Sequence, residues 1–317
     1  MTLDNILEEI NKAETIAILT HETPDGDAIG SSLAMMLALK QLNKNADVIL
    51  PEYPDMFNFL PGANEIKKEG MSEKYDLAIA LDCSDINRLN GFASYFENAK
   101  ETISIDHHSA NKMFGDYNFV NPVAPACAQI LITIFEYLNI QITADIGTCL
   151  IAGIITDTGG FKYQNVTAET FEFASSLLSI GVNISDTYKK VMETKTMANF
   201  NLRKIAMNNM ELLEDGKIAF TYITFEDYRN ANAKMGDHEG LVELGREIAG
   251  VEVSVFLRET EDGIYKVSLR SNEYVNVSDI AMILGGGGHV RAAGCTTKLH
   301  LEEAREKIVN QIKNYLR

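Results

Sequence analysis

The chain has 317 residues, of which 46% are hydrophobic and 23% charged, the composition of an ordinary globular protein long enough for two domains. Its net charge of −17 argues against non-specific binding to long nucleic acid, which needs many Lys and Arg side chains at phosphates. A small phosphorylated substrate held at one cationic spot remains compatible with it. No apolar run is long enough to cross a bilayer. The four scattered cysteines favour a reducing cytoplasm over a disulfide framework.

The first part of the chain alternates between strand and helix patterns. Short β-rich runs predict strands, and apolar stripes or small-residue runs predict helices. The strands are predicted at 15–19, 46–50, 76–81 and 102–105, and the helices at 3–12, 28–42, 126–138, 144–155 and 167–179. Strands that alternate with helices indicate βαβ units, so we expect residues 1–185 to form an α/β domain with a mostly parallel sheet flanked by helices.

The remaining residues have a different pattern. Residues 186–213 contain few helix breakers and predict one long or kinked helix that connects two domains. Residues 214–317 predict a smaller α/β domain. Its strands are expected at 217–223, 251–257 and 265–270, and its helices at 239–248, 278–284 and 301–315.

Acids and imidazoles occur at the ends of four predicted elements. His21, Asp25 and Asp27 follow the first strand, and Asp82 ends the strand at 76–81. The third set is Asp106-His107-His108, at the end of 102–105, and the fourth is Asp157, after a buried helix. Parallel strands that enter a sheet from one side end at the same edge, where open α/β folds bind ligands. We therefore expect the first three sets to meet.

This mixture of Asp and His suits divalent ions such as manganese, magnesium or cobalt, and the set is large enough for two of them. Asp82 is the central candidate for a carboxylate shared by both ions. Each fragment alone has a simpler explanation, because an Asp-x-Asp after a strand is usually a turn or a helix cap and a His-His pair is usually structural. The joint occurrence of four fragments favours a metal site.

A second group of residues lies in the C-terminal part, in the sequence GGGGHVRAAG at 285–294. Its glycines let backbone N–H groups approach an anion, and His289 and Arg291 add positive charge. The alternative is a tight connection between a helix and the strand through Cys295, and the motif alone does not decide. Arg270, Arg246 and Lys162 are further candidates for a phosphate contact, although a lone basic residue is usually a surface residue.

Together these motifs resemble a known family. HETPDGDAIGS, LDCSD, IDHHSAN and TDTGGF, in that order, are similar to the four motifs of the DHH phosphoesterase superfamily, and GGGGHVRAAG resembles the signature of the DHH-associated C-terminal domain. The pairing and the length most resemble NrnA-type proteins, which are bifunctional oligoribonucleases and phosphatases of 3'-phosphoadenosine 5'-phosphate.

The resemblance implies roles for individual residues. One manganese ion would be held by His21, Asp25 and Asp82, and the other by Asp27, Asp82, His107 and Asp157. The catalytic residues besides Asp82 would be His108, at the substrate phosphate, and Asp106, which would orient a histidine. The residues that bind the nucleotide would be Arg270, Gly287, Gly288, His289, Arg291 and Lys162.

The implied function is a manganese-dependent hydrolase of very short RNA or of dinucleotides such as pApA, cytoplasmic and able to form a homodimer. Hydrolysis of pyrophosphate or polyphosphate at the same metals is an alternative, which expects more basic residues in the C-terminal domain. A non-catalytic nucleotide sensor would lack some metal ligands, whereas this chain has them all. A processive exonuclease of the RecJ type would need further nucleic-acid domains and a basic channel.

Overall fold

A computed structural model describes residues 3–72, 74–234 and 236–317. These residues divide into two compact units, the first ending at Thr194 and the second beginning at Lys195. Each unit has its own sheet and its own hydrophobic core.

The first unit alternates between strands and helices over most of its length. Its strands are β1 (Thr15–Leu19), β2 (Asn45–Val48), β3 (Leu77–Leu81), β4 (Glu101–Asp106) and β5 (Tyr117–Val120). Its helices are α1 (Leu3–Lys12), α2 (Gly26–Gln41), α3 (Ala93–Glu97), α4 (Cys127–Tyr137), α5 (Ala144–Asp157), α6 (Ala168–Ser179) and α7 (Ile184–Tyr188), and a π-helical turn, Lys189–Glu193, follows α7.

The described strands of the first unit form one sheet in the order β2-β1-β3-β4-β5, and every neighbouring pair is parallel. The central strand β3 is fully buried on both faces, as expected for a parallel sheet covered by helices. A large apolar cluster that includes residues of α1, α2, α4 and α5 lies on one face, and a smaller cluster around Phe96 of α3 lies on the other. The predicted parallel α/β architecture is confirmed.

Two glycines let α2 and α5 pack backbone against backbone. A Cβ atom added at Gly30 would lie 2.4 Å from the carbonyl oxygen of Cys149, and one added at Gly153 would lie 2.6 Å from Asp27 Oδ1. Both approaches are too close for a larger residue. The beginning of α2, with Asp27, is therefore held against the C-terminal half of α5, which ends at Asp157.

The long helix that we predicted for residues 186–213 is wrong. Helix α7 and its π-helical turn end at Glu193, and α8 (Met197–Asn208) begins after Thr196, whose hydroxyl accepts a hydrogen bond from Asn199 N. Residues that we expected to end the helix form β6 (Glu211–Leu213), because their backbone groups pair with the strand that follows. A new N-cap and this pairing divide the segment.

The second unit is built around a mixed sheet. Besides β6, its strands are β7 (Ile218–Ile223), β8 (Val253–Glu259), β9 (Tyr265–Ser271), β10 (Gly287–His289) and β11 (Ala292–Thr297). Besides α8, its helices are α9 (Phe225–Asn230), α10 (Glu243–Arg246), α11 (Val277–Ile283) and α12 (Leu301–Lys313). The strand order among the described residues is β10-β11-β9-β8-β7-β6, in which β7 and β8 are parallel and the other pairs antiparallel.

Helices cover the two faces of this sheet unequally. A cluster with residues of α11 and α12 covers one face, and a smaller cluster with residues of α8 and of the segment before β8 covers the other. The helix predicted at 239–248 is reduced to the single turn α10, since Gly240 has a positive φ of 76° and Gly245 packs against Ser254. The predicted second α/β domain is confirmed as a mixed sheet with helices.

None of the helices in the described part of the chain is long and apolar enough to span a membrane. The four cysteines are free thiols, and Cys83, Cys127 and Cys149 are buried.

Candidate metal centre

The polar side chains that follow β1, β3 and β4 lie at one edge of the parallel sheet. His21 follows β1, Asp82 follows β3, and His107 and His108 follow Asp106, the last residue of β4. Asp82 has the left-handed φ of 53°, an unusual conformation for a residue other than glycine. It is held there by the hydrogen bond from its backbone N to Ile105 O, 3.0 Å long.

The first acidic pair begins α2. Asp25 is the N-cap, and its Oδ1 accepts hydrogen bonds from the backbone N of Asp27 and of Ala28, each 3.1 Å long. This is the capping role that we set against a metal role, but the cap occupies only Oδ1 of Asp25. A carboxylate oxygen of Asp25 also lies within 4.8 Å of donor atoms of His21 and Asp82.

Asp27 is fully buried and held by a second helix. Its Oδ2 accepts from Cys127 N at 2.6 Å, and its Oδ1 from Ala128 N at 2.9 Å and from Ser31 Oγ at 3.1 Å. Cys127 and Ala128 begin α4, so the carboxylate caps that helix, whose dipole favours negative charge there. The sequence gives no signal of this contact, because the partners are about a hundred residues apart.

Three sets of His and Asp donor atoms gather at this edge, each with its atoms within 4.8 Å of one another. They are Asp82 with His107 and His108, His21 with Asp25 and Asp82, and Asp27 with His107 and Asp157. Asp82 and His107 each belong to two sets, and His107 Nε2 lies 3.4 Å from Asp82 Oδ1 and 3.2 Å from Asp157 Oδ2. The structure therefore brings together the four sequence fragments on which the prediction of a metal site depended.

Two buried atoms of this centre that could bind a metal ion lack a hydrogen-bond partner among the described residues. They are His21 Nδ1 and Asp82 Oδ1, on side chains that are 5% and 2% exposed. Unpaired buried polar atoms are rare, because burial removes their hydrogen bonds to water and nothing replaces them. Their position among carboxylates and imidazoles fits a divalent cation, which binds such oxygen and nitrogen atoms.

The titration behaviour reflects the crowding of negative charge. Burial raises the pKa of Asp27 well above its usual range, and the nearby charges of Asp82 and Asp157 raise it further. Burial likewise raises the pKa of Asp157 to about 6, although His107 opposes this. Burial disfavours the charged form of His107, but Asp157 and Asp82 outweigh burial and raise the pKa of His107 to about 12. The carboxylates need positive charge between them, and divalent ions would supply it.

His108 is oriented by a short contact with Asp106, and its Nδ1 lies farther from Asp82 Oδ1, at 3.5 Å. Its Nδ1 lies 2.7 Å from Asp106 Oδ1, and Asp106 Oδ2 accepts from Asn111 Nδ2 at 2.8 Å. Asp106 is fully buried, whereas the His108 side chain is 21% exposed. We expected Asp106 to orient a histidine and did not assign a role to Asn111, although it is the last residue of the motif IDHHSAN.

The C-terminal candidates lie on both faces of the second sheet. In the strand register Arg270 and His289 both pair with Ala292, which puts them on one face. Gly287 and Gly288, with a φ of 144° at Gly288, belong to the exposed strand β10 next to them.

Arg291 lies on the opposite face from Arg270. Its Nη1 donates to Val275 O at 2.9 Å, and its Nη2 donates to the carbonyl of Glu273. In the first unit, Lys162 is exposed, and its Nζ lies 5.6 Å from the centre of the Tyr163 ring.

Comparison with known proteins agrees with the two domains. The family described as "DHH family, N-terminal domain" matches residues 15–154, and the DHHA1 domain matches residues 215–317. The chain is 35% identical to the bifunctional oligoribonuclease and PAP phosphatase NrnA of Thermus thermophilus, over 95% of this chain and 90% of that protein. It is 26% identical to the probable bifunctional oligoribonuclease and PAP phosphatase NrnA of Streptococcus mutans, over 98% of both.

Among solved structures, the chain is similar to an exopolyphosphatase-related protein from Bacteroides fragilis. The TM-score is 0.91 at 28% identity, and the match covers 99% of this chain and 96% of that one. A parallel sheet with His and Asp donors at its edge, followed by a DHHA1 domain, defines a hydrolase of phosphate esters. The chain belongs to the DHH family.

Proposed function

We propose that the chain is a manganese-dependent phosphodiesterase that cleaves very short RNA, or dinucleotides such as pApA, to nucleoside 5'-monophosphates. The same centre would remove the 3'-phosphate of 3'-phosphoadenosine 5'-phosphate. The observation that carries this proposal is the convergence of carboxylate and imidazole donors from four distant parts of the chain. The 35% identity to a bifunctional oligoribonuclease and PAP phosphatase supports the substrate class.

The donor sets suggest how the residues would divide between two ions. His21, Asp25 and Asp82 would hold one ion, and Asp27, His107 and Asp157 would hold the other together with Asp82, whose Oδ1 lies 3.4 Å from His107 Nε2. Two divalent ions at such a centre activate water and stabilise the charge that develops on the phosphoryl oxygens. The carboxylate of Asp82 would be shared, since its two oxygens lie 3.7 Å from His21 Nε2 and 3.4 Å from His107 Nε2.

The chain's own groups would then orient the substrate. Because Nδ1 of His108 is held by Asp106, the Nε2 edge of the ring is the one that can contact a phosphoryl or leaving oxygen. The amides that begin α4 keep Asp27 in one orientation, so the donor atoms need not rearrange when the substrate arrives.

A surface on the second unit would bind the nucleotide. Arg270, His289, Gly287 and Gly288 share one face of the sheet or its exposed edge, and we propose this face as the phosphate-binding surface. Arg291 would support it from behind, because its guanidinium bonds the backbone of the segment before α11. Lys162 is the phosphate contact that we propose for the first unit.

The test is turnover of pApA and of RNA of two to five nucleotides by the purified protein with Mn²⁺. We expect release of nucleoside 5'-monophosphates, loss of activity in a chelator, and a fall of at least about a thousandfold in kcat/KM for Asp82→Asn. The matched control is Glu65→Gln, which removes a carboxylate about half exposed that pairs with Lys40, at the end of α2 opposite Asp25 and Asp27. Full turnover in the chelator or in Asp82→Asn would contradict the proposal.

Hydrolysis of pyrophosphate or polyphosphate is the second candidate. It is favoured by the similarity to the Bacteroides fragilis structure, since that protein is described as exopolyphosphatase-related. The rates on inorganic tripolyphosphate and on pApA, measured side by side with one enzyme preparation, decide between the two.

A further inference from the structure

One carboxylate bridges two arginines beside the proposed phosphate-binding surface. Glu243, the first residue of α10, accepts from Arg270 Nε through Oε1 at 2.9 Å and from Arg246 Nη1 through Oε2 at 3.0 Å. The three side chains are only 20–28% exposed. At that exposure solvent screens their charges less than on an open surface.

The bridge is fixed to the sheet at both ends. Arg270 Nη1 donates to Leu269 O at 3.1 Å, and Arg246 Nε donates to Asn272 Oδ1 at 3.2 Å. Helix α10 itself lies tightly on the strands, because a Cβ atom at Gly245 would be 2.3 Å from Ser254 Oγ. Ser254 is the strand partner of Arg270, so Glu243 belongs to the same face as Arg270.

Two consequences follow for an anion that approaches this face. The triad of Glu243, Arg246 and Arg270 has two guanidinium groups and one carboxylate, and therefore a net charge of +1. The Nε of Arg270 already donates to Glu243, so this arginine cannot bind a phosphate bidentately through Nε and an Nη atom. The Nη2 of Arg270 has no hydrogen bond to the residues that the structure describes, and it can take one phosphate oxygen.

We propose that Glu243 is a specificity-determining residue, which selects substrates with a nucleoside phosphate over chains of inorganic phosphate. A phosphate at Arg270 would place any second, adjacent phosphate near the carboxylate of Glu243, and like charges disfavour that arrangement. A dinucleotide presents a sugar and a base beside its phosphate instead. This inference rests on the proposed function, in which the face with Arg270 and His289 receives the substrate.

The test uses Glu243→Gln, which keeps one side-chain oxygen as a hydrogen-bond acceptor, replaces the other with an amide NH2 group and removes the negative charge. Binding of inorganic tripolyphosphate and of pApA is measured by calorimetry in a chelator, so that no turnover occurs. We expect the dissociation constant for tripolyphosphate to fall about tenfold and that for pApA to change less than about threefold. The gain should shrink as salt is added.

Turnover gives a second readout with Mn²⁺. The ratio of kcat/KM for pApA to that for tripolyphosphate should fall about tenfold in Glu243→Gln, mostly through the KM for tripolyphosphate. The matched control is Glu247→Gln, which removes an exposed carboxylate one helical turn later and should leave the ratio unchanged.

Failure of this inference and failure of the proposed function give different results. A wild-type protein that neither binds nor cleaves either compound contradicts the proposed function. An active Glu243→Gln with an unchanged ratio contradicts this inference alone. If Glu243→Gln does not fold, Arg246→Gln provides the measurement, because it lowers the net charge of the triad to zero. The ratio of kcat/KM for pApA to that for tripolyphosphate should then rise. An unchanged ratio in that variant also overturns the inference.

Discussion

The buried carboxylate of Asp106 accepts three hydrogen bonds, and all three donors lie within the next five residues. They are His107 N at 2.8 Å, His108 Nδ1 at 2.7 Å and Asn111 Nδ2 at 2.8 Å. Asn111 also donates to Cys83 O at 3.1 Å, which ties this loop to the end of β3. The orientation of the His108 ring therefore depends on Asn111, whose side chain bonds Asp106 and not the ring.

This dependence predicts the effect of Asn111→Ala. Asp106 would lose the partner of Oδ2 and could rotate, so we expect kcat on pApA to fall about 10- to 100-fold while KM changes little. Asn98→Ala, an exposed asparagine at the end of α3, is the matched control. Wild-type kcat in Asn111→Ala would show that Asp106 holds His108 without help.

His238 predicts a pH dependence of stability in the second unit. Burial, together with the charge of Arg258, lowers the pKa of His238 from 6.5 to about 4. Between pH 6.5 and pH 4, His238 is therefore protonated in the unfolded chain but neutral in the folded chain. The stability that is present above pH 6.5 is lost as the pH falls toward 4.

The measurement is the thermal midpoint at pH 7 and at pH 4.5, for the wild type and for His238→Gln. The thermal midpoint should fall less between the two pH values in His238→Gln than in the wild type. The difference corresponds to at most about 3 kcal/mol in the free energy of unfolding. Exposed His300 provides the control His300→Gln, whose fall should match the wild type. Equal falls in all three proteins would contradict the assigned burial.

At the residue scale, the sequence predicted which side chains would gather at the metal centre but not what holds them. His21, Asp82 and His107 stand at strand ends, so parallel topology alone places them. The hydrogen bond from the first amide of α4 to Asp27, and the one from Arg270 to Glu243, join residues that are distant in the chain. No local pattern reports such contacts.

The packing of α2 on α5 is the element-scale contact that brings Asp27 close to Asp157. One of its close points is Gly153, where an added Cβ atom would lie 2.6 Å from Asp27 Oδ1 and 2.9 Å from Ala128 Cβ. Neither neighbour can move freely, since Asp27 is buried and bonded to the first amides of α4.

Gly153→Ala should therefore damage both the fold and the centre. We expect a loss of about 1–3 kcal/mol in the free energy of unfolding, and a smaller rise of the thermal midpoint on addition of Mn²⁺. Gly91→Ala is the matched control, because no heavy atom of the described residues lies within 4 Å of its added Cβ. Wild-type stability in Gly153→Ala would mean that the two helices pack less tightly than described.

Besides the short helices α3 and α9, the elements that sequence patterns missed are strands that depend on pairing. Strand β5 has only four residues and is half-buried along its whole length, so its sequence is too short for a clear strand signal. Strand β6 was predicted as helix, and only its ladder with β7 makes it a strand. The strands β1, β3 and β4 carry strong apolar signals of their own, and these were predicted within one or two residues.

At the scale of the whole molecule, the net charge of −17 has to be reconciled with an anionic substrate. The carboxylates of the candidate metal centre account for part of it, and two divalent cations bound there would balance the charge of the four ligand carboxylates. In the second unit, Glu243 pairs with two of the three candidate arginines, Arg246 and Arg270. Such a molecule is suited to a small substrate held at a few contacts, and unsuited to a long polyanion.

Counting the ions that the wild-type chain and Asp82→Asn bind tests the two-metal centre most directly. In a calorimetric titration with Mn²⁺, the wild type should bind two ions per chain, because the donor sets around Asp82 divide into two groups. Asp82→Asn should weaken both sites at least about tenfold, since the carboxylate is shared. Fewer than two ions in the wild type, or two ions bound with unchanged affinity in Asp82→Asn, would contradict a centre built on a shared Asp82.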